Sequence, residues 1–247
     1  MALKHQRIRG NERLSYSEWC KRYQDRSDPL NHGLLFSLPM FEGAGSATVL
    51  DVARPHHPVT QVHAPVWTRL SSGLWVLDFD GANDLLSCAA ESSTDLDFTS
   101  GDFSMVVWLY PHGLGGNGRF LNKGAGGQSG WGWRVTESAT VFYTCQAGAT
   151  QSSADSGIAA NTWTLRGISR VGASIRIYAA GVDATATAGT HINPTSAAAH
   201  PLEIGARTVG TDYFFAGLLW HPRIWARSLS AAEHRMMFER ERGLFGV

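Results

Sequence analysis

The chain has little cysteine, little charge and no long apolar run, and each shortage removes a class of protein. Only three of its 247 residues are cysteines, Cys20, Cys88 and Cys145, and they lie far apart. With no C-x-x-C pair, neither a zinc ribbon nor a dithiol redox motif can be built, and free thiols are expected. No run of about 18 apolar residues occurs, so no membrane insertion is expected. The opening residues Met1 to Arg7 lack an apolar stretch of signal-peptide length. Synthesis in the cytoplasm without a cleavable export signal is therefore the expectation. A Gly-x-Ser-x-Gly nucleophile elbow is also missing.

What is present is a core-forming composition, 43% hydrophobic and 17% charged, with 27 glycines that favour short strands and frequent turns. One all-β domain with short extensions fits this length. The net charge of zero conceals a gradient. Residues 1–30 carry seven basic and four acidic groups, residues 31–219 nine and fourteen, and residues 220–247 five and three. A basic arm on a mildly acidic body suits pairing with an acidic neighbour or with other copies of the chain. Four basic residues, Lys4, Arg7, Arg9 and Arg13, are too few for tight nucleic-acid binding at ordinary salt.

Within the arm, Ser15 and Glu18 read as a capping box. Behind it Tyr16, Trp19, Cys20 and Tyr23 recur at helical spacing, which predicts a short N-terminal helix with an aromatic face. Asp28-Pro29 ends that segment, giving an arm over 1–32 and a body over 33–247. From Leu34 the period becomes two, and Phe103–Tyr110 reads as a central strand apolar on both faces. Further strands are predicted at 119–123, 131–135, 140–144, 163–169, 175–179, 182–188, 202–204 and 214–225. Gly181 reads as a tight hairpin. Ser230 and Glu233 form a second capping box opening a C-terminal helix to about Arg242, with Gly243 as its cap. Without βαβ alternation, a doubly wound fold is excluded.

Several segments together resemble the laminin-G-like, concanavalin A-like jelly-roll family. They are Leu34 to Gly45 with its Phe41-Glu42-Gly43 turn, Leu77-Asp78-Phe79-Asp80-Gly81, Gly101-Asp102-Phe103-Ser104 leading to Trp108 and Pro111, and Phe215 to Trp225 followed by Arg227-Ser228-Leu229-Ser230. Asn161 to Trp163, Ile175 to Val182 and Leu202 to Gly205 fall in the family's later order. The resemblance implies an all-β, two-sheet antiparallel β-sandwich that binds carbohydrate or protein partners, in some members with one calcium ion.

Calcium takes six to eight oxygens, and Asp51, Asp78 and Asp80 are the candidate ligands. Against them, Trp220-His221 stands where the family has an acidic pair, and the bland reading of Asp80-Gly81 is a turn. His56-His57 with His63 lacks metal-ligand spacing and reads as a surface loop. Gly113 to Gly118 matches a dinucleotide pattern in letters only, because a strand rather than a helix follows. Glycosidases of this fold use two carboxylates, typically along one strand, and Asp95-Leu96-Asp97 is the nearest approach. Trp131 and Trp133 share a strand face and are the candidate ligand-stacking pair, weighed against plain core packing.

A non-enzyme without cofactor is therefore expected. The leading expectation is an assembly component, a virion surface or capsid decoration protein. It would dock on copies of itself or on a shell protein through Arg7, Arg9, Arg13, Tyr16, Trp19 and Tyr23. The alternative is a lectin-like module that binds glycans.

Overall fold

The computed structural model describes residues 25, 27–191, 193–195, 199–208 and 213–247. The predicted N-terminal helix, Cys20 and the six arm residues lie outside them. Two antiparallel sheets of eight strands face each other. The first holds β1 (Leu34–Ser37), β4 (Val66–Arg69), β5 (Trp75–Asp80), β7 (Ser104–Pro111), β12 (Thr164–Val171), β13 (Ser174–Ala179), β14 (Val182–Asp183) and β16 (Ala216–Trp225). The second holds β2 (Thr48–Leu50), β3 (Pro58–Val62), β6 (Leu85–Cys88), β8 (Arg119–Lys123), β9 (Gly130–Val135), β10 (Thr140–Gln146), β11 (Ala149–Ala154) and β15 (Leu202–Ile204). The chain passes repeatedly between them, with the first sheet ordered β14-β13-β12-β7-β16-β5-β4 and β1 alongside β16. The second is ordered β11-β10-β9-β8-β15-β6-β3-β2. This is the expected jelly-roll sandwich.

Alternation along each strand decides what fills the space between the sheets. Phe103 reaches across to Phe142 of the second sheet, ring centroids 5.8 Å apart, and Met105, Val107 and Leu109 follow on the same side. Opposite them Phe120, Trp131, Trp133 and Phe142 pack as a cluster of tilted and stacked rings. Arg166 and Asp155 make a buried ion pair at 2.8 Å, and Asp155 also accepts from the Thr140 hydroxyl at 2.8 Å. The free thiols Cys88 and Cys145 are buried.

The outer face of the first sheet is covered as well. Helix α1 (Ala231–Glu241) starts at the predicted capping box, with the Ser230 hydroxyl accepting from the Glu233 N–H and Glu233 reaching back. Its tail lays Phe245 on Trp108 at 4.1 Å and on Trp163 at 4.5 Å. Arg223 donates twice to Glu241 at 2.7 and 2.9 Å, and the Trp108 indole donates to the same carboxylate at 2.7 Å. Gly181, at φ 76°, makes the hairpin before β14, and a Cβ there would meet the backbone of Arg235 at 2.6 Å. Gly243 departs from expectation. It sits inside a 3-10 turn, Arg242–Leu244, that extends the helix instead of ending it in a left-handed cap. Trp163 is only half-buried, because it lies at the rim of the Phe245 cluster.

The end of the expected arm belongs to the body. Leu30 is buried, its carbonyl accepts from the Trp225 indole at 2.6 Å, and Asp28 pairs with Arg240 at 2.8 Å. Residues 28–31 are thus tied to β16 and α1. Among the described residues no helix is long and apolar enough to cross a membrane.

Candidate functional site

The sequence-derived site residues are scattered and already engaged. Asp51 follows β2, and its Oδ1 accepts from the Ser37 and Ala53 amides, both at 2.9 Å. Its Oδ2 takes the His57 amide at 3.0 Å and lies 2.7 Å from His57 Nδ1. Asp78 pairs with His112 at 2.7 Å, and Asp80 Oδ1 accepts from the amides of Ala82, Asn83 and Asp84, shaping the turn. Among the described residues no group of three His, Cys, Asp or Glu is arranged to hold a metal ion. The three candidate calcium ligands are thus already engaged by the chain's own groups, Asp51 through both carboxylate oxygens and Asp78 and Asp80 through Oδ1.

Trp131 and Trp133 are fully buried between the sheets, and the Trp131 indole donates to the Leu96 carbonyl at 2.9 Å. A stacking role for either would require opening the core, so that reading is corrected. Asp95 and Asp97 make no catalytic pair. Asp95 lies 2.9 Å from His57 Nε2, and Asp97 is 3.0 Å from the buried Lys123 ammonium. Burial opposes a charge on His57, but the hydrogen bonds and charges of Asp51 and Asp95 outweigh it and raise the imidazole to about 9. Gly113 to Gly118 is the β7–β8 connection, as expected.

The structure assembles a different site at one end of the sandwich. A hollow of about 360 Å³ is lined by Gly101, Asp102, Gln146, Arg170, Gly172, Ala173, His191 and Asn193. Both sheets build it: Asp102 enters β7, Arg170 and Gly172 end β12, and Gln146 ends β10 of the opposite sheet. Arg170 is held in place by donating to the Gly172 carbonyl and to Asn193 Oδ1, both at 2.7 Å, with its guanidinium 5.7 Å from the Phe103 ring centroid. Burial lowers its pKa, and the nearby Asp102 charge opposes that shift. Asp102 Oδ1 accepts from the Gly172 amide at 2.8 Å, while its Oδ2 has no hydrogen-bond partner among the described residues.

His191 forms the inner wall. Its Nδ1 lies 3.0 Å from the Thr144 hydroxyl and its Nε2 2.9 Å from the Ser153 hydroxyl. Burial, with the Arg170 charge adding to it, pushes its pKa down to about 4. A neutral ring with both nitrogens engaged and no carboxylate behind it cannot complete a Ser–His–Asp relay. Among the described residues Asp102 is the single carboxylate lining the hollow, whereas glycoside hydrolysis takes a pair. The arrangement offers hydrogen bonds of both signs and no acid–base couple.

A two-sheet antiparallel sandwich with a ligand-sized hollow at its end has the form of a lectin-like domain. Residues 81–233 match the laminin-G-type model of the concanavalin A-like lectin/glucanases superfamily, and the chain belongs to that family. No curated protein sequence is significantly similar. Among solved structures, botulinum neurotoxin type C, whose cell entry depends on interaction with two ganglioside molecules, is similar with 15% identity and a TM-score of 0.63, over 86% of this chain and 52% of that one. The binding domain of Paraclostridial Mosquitocidal Protein 1 shows 15% identity and a TM-score of 0.63, over 84% and 52%. The binding domain of botulinum neurotoxin DC in complex with rat synaptotagmin II shows 14% identity and a TM-score of 0.61, over 84% and 51%. The chain spans about half the length of these structures, and at such identities the likeness is one of fold.

Proposed function

We propose that the chain is a non-catalytic, lectin-like binding module whose ligand is a glycan and whose binding site is the Arg170 hollow. The observation that carries this reading is the lining itself. Within about 360 Å³, a size in the usual small-ligand range of roughly 300–1,000 Å³, stand a guanidinium, two amides and a half-engaged carboxylate. Sugar hydroxyls both donate and accept, and this mixture answers both needs. The resemblance to domains that meet gangliosides or a protein receptor supports a binding role.

The test is a glycan array followed by calorimetry on the best hit, with Asp102→Ala and Gln146→Ala. Each variant should weaken binding about tenfold or more, equivalent to about 1.4 kcal/mol. An array without hits, or affinities indifferent to both substitutions, overturns the assignment. The assembly reading, docking on other copies or on a virion shell, rests on Arg7 to Tyr23, outside the described residues, and no other observation favours it.

A further inference from the structure

The outer face of the second sheet carries a group of cations that the Arg170 hollow does not use. Arg119 of β8 and Arg134 of β9 are direct cross-strand partners. Alternation explains their orientation: Trp131, Trp133 and Val135 point into the core, so Gly132 and Arg134 point out. Like charges directly opposite each other on a sheet are unfavourable. Neither guanidinium has a carboxylate within ion-pair distance among the described residues.

Arg119 is fixed by its neighbours. It donates to the Tyr143 hydroxyl at 3.1 Å and to the Asn117 carbonyl, and lies 4.6 Å from the Tyr213 ring centroid. Tyr143 in turn donates to Asn122 at 2.9 Å, across Gly132, where a Cβ would come within 2.6 Å of the Asn122 oxygen. Arg134 has no such support. Its Nε is buried without a hydrogen-bond partner, and burial together with the charges of Arg119 and Arg207 lowers its pKa. Glu203, the one acid on this face of β15, is engaged by the Thr208 amide at 3.1 Å and by the Thr208 hydroxyl. Arg119 touches, through Asn117, a polar cleft of about 310 Å³ lined also by Gly115, Gly116, Thr136, Glu137 and Ser138.

A buried guanidinium N–H without an acceptor, facing a second guanidinium, is a costly arrangement that an oxyanion would relieve. We propose that the Arg119–Arg134 pair is a second ligand site, which takes the sulfate or carboxylate substituent of an acidic glycan. The choice of a glycan rests on the lectin-like reading above, while the demand for an anion rests on the arginine pair alone. Arg134 is the half-buried, unconstrained member and supplies the new hydrogen bonds, whereas Arg119 supplies fixed charge. Glu137, exposed on the rim of the cleft, opposes an anion there.

The experiment uses the full chain and four probes: a sulfated disaccharide, a sialylated lactose, lactose itself, and a poly-glutamate peptide. One of the two acidic sugars should bind, lactose should bind at least tenfold more weakly than it, and added salt should weaken the charged interaction. Arg134→Gln should lose about tenfold or more of that affinity. Arg134→Lys should fail to restore it, because an ammonium lacks the planar fork. Glu137→Gln should strengthen it. Equal affinity for lactose, indifference to Arg134→Gln, or tighter binding of poly-glutamate than of either acidic sugar overturns the proposal, the last pointing to an acidic protein partner. Dependence on Asp102 but not on Arg134 would leave the Arg170 reading standing and remove this one.

Discussion

On the outer face of the first sheet, the buried charges Arg223 and Glu241 meet under a helix, and an indole donates to the same carboxylate. On the outer face of the second sheet, Arg119 and Arg134 face each other with no counter-charge in ion-pair contact among the described residues. Both faces belong to antiparallel sheets with the same core between them, so the difference is not imposed by the fold. The first face is sealed by the chain's own C-terminal segment, as burial of polar groups requires. The second is left with surplus hydrogen-bonding capacity. A protein that gives its buried cation a carboxylate partner on one side and sets two cations against each other on the other has separated a stabilising surface from a binding one.

The comparison is broken most sharply through Glu241. Glu241→Ala would leave Arg223, 4% exposed, without its partner and the Trp108 indole without its acceptor. Removing one member of a buried pair costs about 3–5 kcal/mol. Urea denaturation should show a loss in that range. A loss below about 1 kcal/mol would mean that α1 is an appendage and the first face is not sealed by it.

Protonation separates two further regions, with opposite sign. His57 is buried between two carboxylates with a folded pKa of about 9, above its ordinary 6.5. Folding therefore takes up a proton, and the associated stability is fully present below pH 6.5 and fades as pH rises through 9. The size is roughly 3 kcal/mol. His234, on the buried face of α1, is stacked on Tyr178 at 4.0 Å with Nε2 2.8 Å from the Ser169 hydroxyl. Burial holds its pKa down at about 3. Its contribution is present above pH 6.5 and is lost as pH falls toward 3. Urea titrations from pH 4 to pH 10 should show a dome, with the alkaline slope removed in His57→Gln and the acid slope reduced in His234→Gln. An alkaline limb unchanged in His57→Gln would show that the imidazole is not charged at neutral pH.

Much of the architecture was legible because strand period, turn residues and the Ser230–Glu233 capping box are local signals. Five strands were not, β2, β3, β4, β6 and β11; of these β2, β4 and β11 lie at sheet edges, where half-polar sequences carry little period. Period two correctly put Trp131 and Trp133 on one face but could not say that this face is the core. The sites were least legible. Asp102, Gln146, Arg170 and Asn193 converge only through sheet topology, and each alone is an ordinary polar residue. The Arg119–Arg134 pairing depends on register, which includes a bulge between Arg119 and Leu121. The one local hint was Gly132 between two tryptophans, a position that makes room for Tyr143 and Asn122 on the outer face.

The smallest expected effect is the most discriminating. Arg134 makes no side-chain hydrogen bond and no ion pair among the described residues, and its nearest cross-strand neighbour repels it. Truncating an arginine ordinarily removes packing by its methylene stem as well as charge. Here the lost stem contacts are offset by relief of a like-charge pair and by removal of a buried, unsatisfied N–H. Arg134→Ala should therefore change stability by no more than about 0.5 kcal/mol in either direction, the range of an uninvolved surface site. Arg119→Ala should cost more, because it removes a donor to the Tyr143 hydroxyl and the stacking on Tyr143 and Tyr213. Melting temperatures of the two variants, measured side by side, order these residues. If Arg134→Ala is the more destabilising of the two, Arg134 is part of the framework, and the contrast between a sealed face and an open one loses its basis.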